Sequence, residues 1–163
     1  RASVEVAVRE AAGLAAFGLA FMIVASAAPT PYDESADAKA AVQSALTAAQ
    51  QSRQPVLVIL GANWCEDCRA LAAALESGKS AELVAREFKV VKVDVGKFDR
   101  NLDLVTRYGN PIAKGIPAAV VLSPGGQVLY ATKAGELADA RRMSASGVYD
   151  FFKRVSQEVA RPR

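Results

Sequence analysis

The chain has 163 residues, a formal net charge of +3 and 52% hydrophobic residues. That length accommodates one domain of roughly 120–130 residues and an extension. The small net charge gives no indication of nucleic-acid binding. With two cysteines and no histidine, the chain lacks the ligands for a tetrahedral zinc site of its own.

The first part of the chain differs in composition from the rest. Residues 11–28 carry no charge and are largely apolar, and residues 25–27 follow the small-x-small pattern of a signal-peptidase site. We predict that residues 1–30 are an export signal. An uncleaved membrane anchor is the main alternative, and an amphipathic helix packed on the domain is the other. Residues 31–163 are then the folded domain.

Two elements are expected to lead to the centre of the domain. Asp33 to Arg53 is predicted to be a helix, because alanine, valine and leucine recur there at spacings of three and four. Val56 to Leu60 is a short, continuous apolar run after a proline. Such a run predicts a strand buried on both faces, as in the middle of an α/β sheet.

The two cysteines follow this strand. Strong helix formers come directly after them, so Cys65 is predicted to begin a helix and Cys68 to lie one turn further on. A helix N-terminus stabilises a thiolate, the nucleophile of disulfide exchange. Cys65 is therefore the candidate attacking group and Cys68 the candidate resolving thiol. A local structural disulfide and a pair of metal ligands are the alternatives.

The second half of the chain continues with shorter elements. A break is expected at Ser77-Gly78, followed by a short helix from Ala81 to Phe88 capped by Ser80. Further predictions are a strand at 89–95, a loop and helix at 96–108, an irregular segment at 131–146, and a last helix capped by Ser144 or Ser146. Arg141 and Arg142 are expected to be solvated, without a partner.

These elements resemble the thioredoxin family. Residues 64–68, Trp-Cys-Glu-Asp-Cys, are similar to its W-C-x-x-C active site, and residues 92–95 to its next central strand. Residues 115–117, Gly-Ile-Pro, are similar to the approach to its cis-proline, and residues 120–130 to its closing hairpin. The resemblance implies an α/β thioredoxin fold with a central mixed β-sheet flanked by helices, here with an N-terminal apolar extension. It is greatest to bacterial exported thioredoxin-like proteins, some of them disulfide isomerases.

The resemblance also implies an activity. The expected function is that of a thiol–disulfide oxidoreductase, more like a reductase or isomerase than a strong oxidase, with Cys65 as nucleophile and Cys68 as resolving thiol. Pro117 is expected to be cis beside the redox pair, with the backbone of Ile116 pairing with extended substrate. Residues expected to modulate the site are Trp64, Glu66, Asp67 and Lys92. For Lys92, a solvated side chain is the equal alternative.

Two departures from the family pattern affect the chemistry. Thioredoxins carry a buried aspartate on the strand before the motif, whereas this chain has Ile59 there, so Glu66, Asp67, Lys92 or water would have to move the proton. The Glu66-Asp67 dipeptide also places two carboxylates beside the thiolate, which disfavours it. The pair is therefore expected to be more reducing than that of a strong oxidase.

Partners and location follow from the same reasoning. We expect a monomer that acts on cysteine-containing protein substrates, has a redox partner that can be membrane-bound, and needs no cofactor, metal or nucleic acid. It is expected to be exported, either periplasmic or anchored in the membrane facing the periplasm. The rival hypothesis is a non-catalytic thioredoxin-fold binding module, or a Cu(I) or thiol chaperone that uses the cysteine pair.

Overall fold

The computed structural model describes residues 30–161. The export signal or anchor predicted for residues 1–30 therefore lies, apart from Thr30, outside the described residues. Within the described part, none of the helices combines the length and the apolar character needed to cross a bilayer.

Across residues 30–161, four strands form one mixed sheet in the order β2-β1-β3-β4. They are β1 (Val56–Gly61), β2 (Lys89–Asp94), β3 (Ala118–Leu122) and β4 (Val128–Ala131). β1 pairs in parallel with β2 and antiparallel with β3, and β3 pairs antiparallel with β4. The predicted central mixed sheet is thus confirmed.

The position of β1 explains its sequence. All six of its residues are buried, because strands flank it on both edges and packed side chains cover both faces. An uninterrupted apolar run suits such a strand, since neither face meets water. β1 therefore ends at a fixed point in the middle of the molecule, and the cysteine motif begins there.

In the described part of the chain, five helices and a 3₁₀ turn surround the sheet. They are α1 (Ala38–Ser52), α2 (Glu66–Leu75), α3 (Gly78–Glu87), α4 (Leu102–Arg107), the 3₁₀ turn (Ala140–Arg142) and α5 (Ala145–Val159). α1 packs against β1 and β2, whereas α2, α3 and α5 contact one another. The 3₁₀ turn, in the segment expected to be irregular, contacts α2.

α1 begins five residues later than the sequence pattern predicts. The carboxylate of Asp37 accepts a hydrogen bond from the Ala40 N–H at 3.0 Å and caps the first turn. Asp33 instead accepts hydrogen bonds from the backbone and the hydroxyl of Ser35 in a local turn. An aspartate cap sets a helix start more sharply than apolar spacing does.

The chain breaks at Glu76 and Ser77, one residue before the expected position, but α3 begins three residues earlier than predicted. Ser77 occupies the N-cap position and the helix starts at Gly78. Ser80, predicted as the cap, lies inside the helix and is buried. At the last helix the prediction is confirmed for Ser144, whose hydroxyl accepts from the Gly147 N–H at 3.0 Å.

Candidate redox site

The two cysteines lie at the N-terminus of α2, directly after the carboxyl end of β1. Cys65 is the N-cap residue with extended backbone, and its sulfur accepts the Cys68 N–H at 3.1 Å. The two residues form a disulfide with their Cα atoms 5.2 Å apart. The positive end of the helix dipole therefore faces Cys65, as the sequence predicts.

The two sulfurs differ in access. Cys65 is 7% exposed, whereas Cys68 is fully enclosed. Both cysteines belong to the buried core, but Cys65 at the N-cap retains some exposed surface, whereas Cys68 in the first turn of α2 retains none. An external disulfide can therefore approach the sulfur of Cys65 more readily than that of Cys68.

The Ile116-Pro117 peptide faces the cysteine pair. The bond is cis, as the resemblance implies. The carbonyl oxygen of Ile116 lies 3.7 Å from the sulfur of Cys65. Because this segment precedes β3, which pairs with β1, the sheet itself brings the proline to the end of β1.

Trp64 presents an aromatic surface beside the cysteines. Its side chain is 52% exposed. The indole N–H donates to the carbonyl of Gly96 at 2.8 Å, and the ring meets Phe98 edge to face with centroids 6.2 Å apart. The ring is therefore held in place although half of it faces solvent.

The two carboxylates between the cysteines have a basic partner. The Arg141 guanidinium lies 2.5 Å from the Glu66 carboxylate and 3.8 Å from that of Asp67. The backbone N–H of Arg141 also donates to Asp67 at 3.0 Å. The expectation that Arg141 has no partner is therefore wrong. Its positive charge offsets part of the negative charge that the dipeptide places near Cys65.

Lys92 lies on β2, beside Ile59 of β1 in the strand register. Its ammonium group pairs with the carboxylate of Glu76, which is the C-cap residue of α2. This contact is at the opposite end of α2 from Cys65. The influence of Lys92 on the proton balance of the cysteines stays a prediction.

Ile59 is buried in the middle of β1, so the site has an apolar side chain where the family carries an acid. A different polar side chain approaches the cysteines instead. Tyr32, from the segment before α1, is 2% exposed, and its ring lies against Gly61 on the side where the sulfur of Cys68 also lies close. The sequence-based prediction missed Tyr32, since the segment before α1 has no periodic pattern and the partners of Tyr32 lie some thirty residues further along the chain.

An open groove of about 640 Å³ lies beside the site. Its lining includes Phe98, Leu102, Ile112 and Gly115. Phe98 and Leu102 are exposed, and Gly115 directly precedes Ile116. The connection over residues 109–115 is thus part of a surface that lies next to the cis-proline.

Within residues 30–161, no three or more His, Cys, Asp or Glu side chains cluster closely enough to hold a metal ion. Within that range, no third side chain of those types is therefore placed to bind a metal ion together with the two cysteines.

Comparisons with known proteins agree with this arrangement. A family model described as "Thioredoxin-like" matches residues 37–124. The chain is similar to the crystal structure of a disulphide isomerase from Xylella fastidiosa Temecula1, with 53% identity, a TM-score of 0.78, and coverage of 80% of this chain and 99% of that one.

Two thioredoxins are more distant. One from Griffithsia pacifica is 36% identical over 77 residues, which are 47% of this chain, and the match spans 63% of that protein's length, less than two thirds. The solution structure of a thioredoxin from Thermus thermophilus is 20% identical, with a TM-score of 0.51 and coverage of 72% of this chain and 83% of that one. At that identity the likeness concerns the fold alone.

Proposed function

The chain belongs to the thioredoxin-like family, and on that premise we propose that it is a thiol–disulfide oxidoreductase that acts on protein disulfides through Cys65 and Cys68. The observation that carries this proposal is the asymmetric cysteine pair. Cys65 is the N-cap of α2 and the more accessible sulfur, and Cys68 is enclosed one turn deeper. A structural disulfide needs no such asymmetry, whereas attack followed by resolution does.

The reaction has two exchange steps. The thiolate of Cys65 attacks one sulfur of a substrate disulfide, which forms a mixed disulfide and releases the first substrate thiolate. The thiolate of Cys68 then attacks the sulfur of Cys65, closes the intramolecular disulfide and releases the second thiolate. The substrate gains two electrons and the cysteine pair loses two, so a partner dithiol must reduce the pair again for another cycle.

The surroundings of Cys65 suit an extended polypeptide. The Ile116 carbonyl is close to the attacking sulfur, and its backbone is the group that we propose pairs with substrate. The exposed Trp64 and Phe98 and the groove that ends at Gly115 offer apolar contact on the same side. Proteins with an accessible cystine in an extended segment are therefore the substrate class that we propose.

We propose that the pair works as a reductase or isomerase rather than as a strong oxidase. Glu66 and Asp67 disfavour the thiolate of Cys65, which favours the disulfide and lowers the reduction potential. Arg141 offsets only part of this charge, since one guanidinium faces two carboxylates. The name of the Xylella protein, a disulphide isomerase, supports the same class.

Location and partners are also proposals. The uncharged stretch over residues 11–28 supports export, with the domain periplasmic or anchored facing the periplasm. In an oxidising compartment a reductase needs a donor of electrons, so we propose a membrane-bound dithiol partner.

Reduction of insulin by dithiothreitol, followed by precipitation of the freed B chain, tests the proposed function. We expect the full chain to accelerate precipitation catalytically, and the Cys65→Ser variant to lose this acceleration. If the wild-type chain binds reduced or oxidised insulin without accelerating its reduction, the chain is a binding module and the proposal fails.

A further inference from the structure

The hydroxyl of Tyr32 and the sulfur of Cys68 both lie close to the position that a Cβ atom on Gly61 would occupy. A Cβ atom added to Gly61 would lie 2.5 Å from the Cζ of Tyr32 and 3.0 Å from the sulfur of Cys68, and closer still to the Tyr32 hydroxyl oxygen. The phenol thus occupies the space that any other side chain at position 61 would fill. The resolving sulfur and a buried hydroxyl share this space beneath the site.

The position of Tyr32 is fixed by the segment that carries the cysteines. The side-chain amide of Asn63 accepts from the Tyr32 N–H at 3.0 Å and donates to the Tyr32 carbonyl at 2.8 Å. Arg69 of α2 in turn donates to the Asn63 carbonyl at 2.6 Å. A two-sided amide clamp of this kind holds a backbone in register.

Asp94 lies next to Tyr32. It is the register partner of Gly61 in the parallel ladder, and neighbouring strands are about 4.8 Å apart, so its side chain projects beside the space that the phenol fills. Among residues 30–161, two buried side-chain polar atoms have no hydrogen-bond partner, namely the Tyr32 hydroxyl and Oδ1 of Asp94. An unsatisfied buried polar group is costly, so each of these two atoms retains an unused capacity to form a hydrogen bond.

The charges around this pair are few. The other oxygen of Asp94 lies 3.3 Å from the guanidinium of Arg100, which also donates to the Glu34 carbonyl. The Glu34 carboxylate accepts from Asn63 at the outer side of the clamp. Burial first, and the charge of Asp94 second, raise the pKa of the Tyr32 hydroxyl, so it is protonated at neutral pH. It is therefore a hydroxyl with a proton to donate and a lone pair to accept one.

We propose that Tyr32 and Asp94 accept the proton of Cys68 when it resolves the mixed disulfide, a role that rests on the proposed function. The Cys68 thiol passes its proton to the Tyr32 oxygen while the Tyr32 hydroxyl passes its own to the Asp94 carboxylate. The Cys68 thiolate then attacks the sulfur of Cys65, the mixed disulfide breaks, and the released substrate thiolate takes a proton from water. Asp94 returns its proton to solvent, and Tyr32 ends as it began.

In this proposal Tyr32 and Asp94 take the role of the buried acid that the chain lacks on β1. Ile59 cannot accept a proton. Glu66 and Asp67 face Arg141, and Lys92 pairs with Glu76 at the far end of α2. Asp94 on β2 can supply the missing base. The Tyr32 hydroxyl, which has no hydrogen-bond partner in the disulfide form, is free to connect Asp94 with the enclosed sulfur in the reduced form.

Single-turnover reaction with one equivalent of the aryl disulfide DTNB tests this role. The reduced full-length chain releases one nitrothiolate when Cys65 attacks, and a second when Cys68 expels it from the mixed disulfide. At about pH 6, where little hydroxide is present, we expect Tyr32→Phe to slow the second release at least tenfold and to leave the first unchanged. At about pH 10, where hydroxide is abundant enough to take the proton of Cys68 directly, the two proteins should resolve at the same rate.

Tyr130→Phe is the matched control. It removes a partly buried hydroxyl whose ring packs on Phe151, away from the cysteines, and should leave both releases unchanged. Should Tyr32→Phe slow the second release equally at both pH values, or no more than the control does, the proton role is refuted. Loss of the first release in the wild-type chain would refute the proposed function instead, so the two failures are distinct.

The Asp94→Asn variant provides a second test of the proton transfer if the Tyr32→Phe variant does not fold. The amide keeps the shape and cannot accept the proton, so the second release should slow at pH 6 and recover at pH 10. If the Asp94→Asn variant releases the second nitrothiolate as fast as wild type at pH 6, Asp94 does not accept the proton of Cys68.

Discussion

The guanidinium of Arg141 lies 2.5 Å from the carboxylate of Glu66, although 75 residues separate them in the chain. The contact brings the 3₁₀ turn before α5 onto the dipeptide between the two cysteines. The charge near the redox pair is therefore set by two distant segments together. Its sign cannot be read from the Cys-x-x-Cys motif alone.

Replacing Arg141 by glutamine should make the cysteine pair more reducing. The neutral side chain leaves the two carboxylates unopposed, which destabilises the Cys65 thiolate and favours the disulfide. Exposed ion pairs contribute ~0.2–1 kcal/mol, and 30 mV corresponds to ~1.4 kcal/mol for this couple, so the potential should fall by about 5–20 mV. Equilibration with glutathione measures it.

Arg142→Gln is the control for this change. It removes the same charge one residue further on, from an exposed side chain, and should shift the potential less. A rise in potential for Arg141→Gln, or equal shifts for the two variants, would contradict the electrostatic role of Arg141.

Single cysteine variants should separate attack from resolution. Cys68→Ser retains the accessible sulfur at the helix N-terminus, so it should form mixed disulfides with protein substrates that persist. Cys65→Ser leaves only the enclosed sulfur and should form none at a comparable rate. Non-reducing gel electrophoresis after mixing with oxidised insulin measures both. Trapping by Cys65→Ser but not by Cys68→Ser would reverse the assignment.

Gly61→Ala should destabilise the domain, because the structure has no space for the added methyl group. Gly61 lies in β1, where extended backbone suits any residue, but the added methyl group would collide with Tyr32 and crowd Cys68. Overpacking of this kind lowers the free energy of unfolding by about 1–3 kcal/mol. Urea denaturation followed by tryptophan fluorescence measures the loss.

Gly125→Ala serves as its control. The nearest atom to a Cβ there is the Ser123 hydroxyl oxygen at 3.6 Å, an ordinary contact. Its free energy of unfolding should change by no more than about 0.5 kcal/mol. If Gly61→Ala is as stable as Gly125→Ala, Tyr32 does not fill the space beneath the site.

Tyr32 should also make the domain lose stability in alkali. Burial, and then the charge of Asp94, raise the pKa of its hydroxyl in the folded chain, whereas the unfolded chain deprotonates near pH ~10. Above that pH the unfolded state binds fewer protons, so the free energy of unfolding falls as pH rises. In Tyr32→Phe this decline should be shallower.

Denaturation at a series of pH values between about 9 and 12 measures the decline. Some of it should persist in the variant, since burial and the nearby glutamates raise the pKa of Tyr130 to about 12. Identical slopes for wild type and Tyr32→Phe would show that the phenol of Tyr32 is not held neutral by the fold.

The sequence predicted those parts of the site that depend on local pattern. β1 is a continuous apolar run because it is the buried second strand of the sheet, and the Cys-x-x-Cys spacing places both sulfurs on one helical turn. The order of the motifs along the chain, which resembles that of thioredoxins, was enough to predict the mixed sheet and the cis bond before Pro117.

The remaining parts depend on contacts between distant segments. Tyr32 meets Asn63 across 31 residues and Arg141 meets Glu66 across 75. A tyrosine in the segment before α1 and an arginine in an irregular segment both lack a local sequence pattern that would predict their partners. The proton path and the charge balance were therefore missed although the sulfurs were found.

The equilibrium reduction potential of the Cys65–Cys68 pair in the full chain tests the central claim most directly. Titration with dithiothreitol or glutathione and trapping of free thiols measure it. We expect a value near that of thioredoxins, roughly −270 mV, as a pair flanked by two carboxylates and one guanidinium favours its disulfide. A value near roughly −120 mV would make the protein a strong oxidase, and a pair that does not oxidise reversibly would contradict redox function altogether.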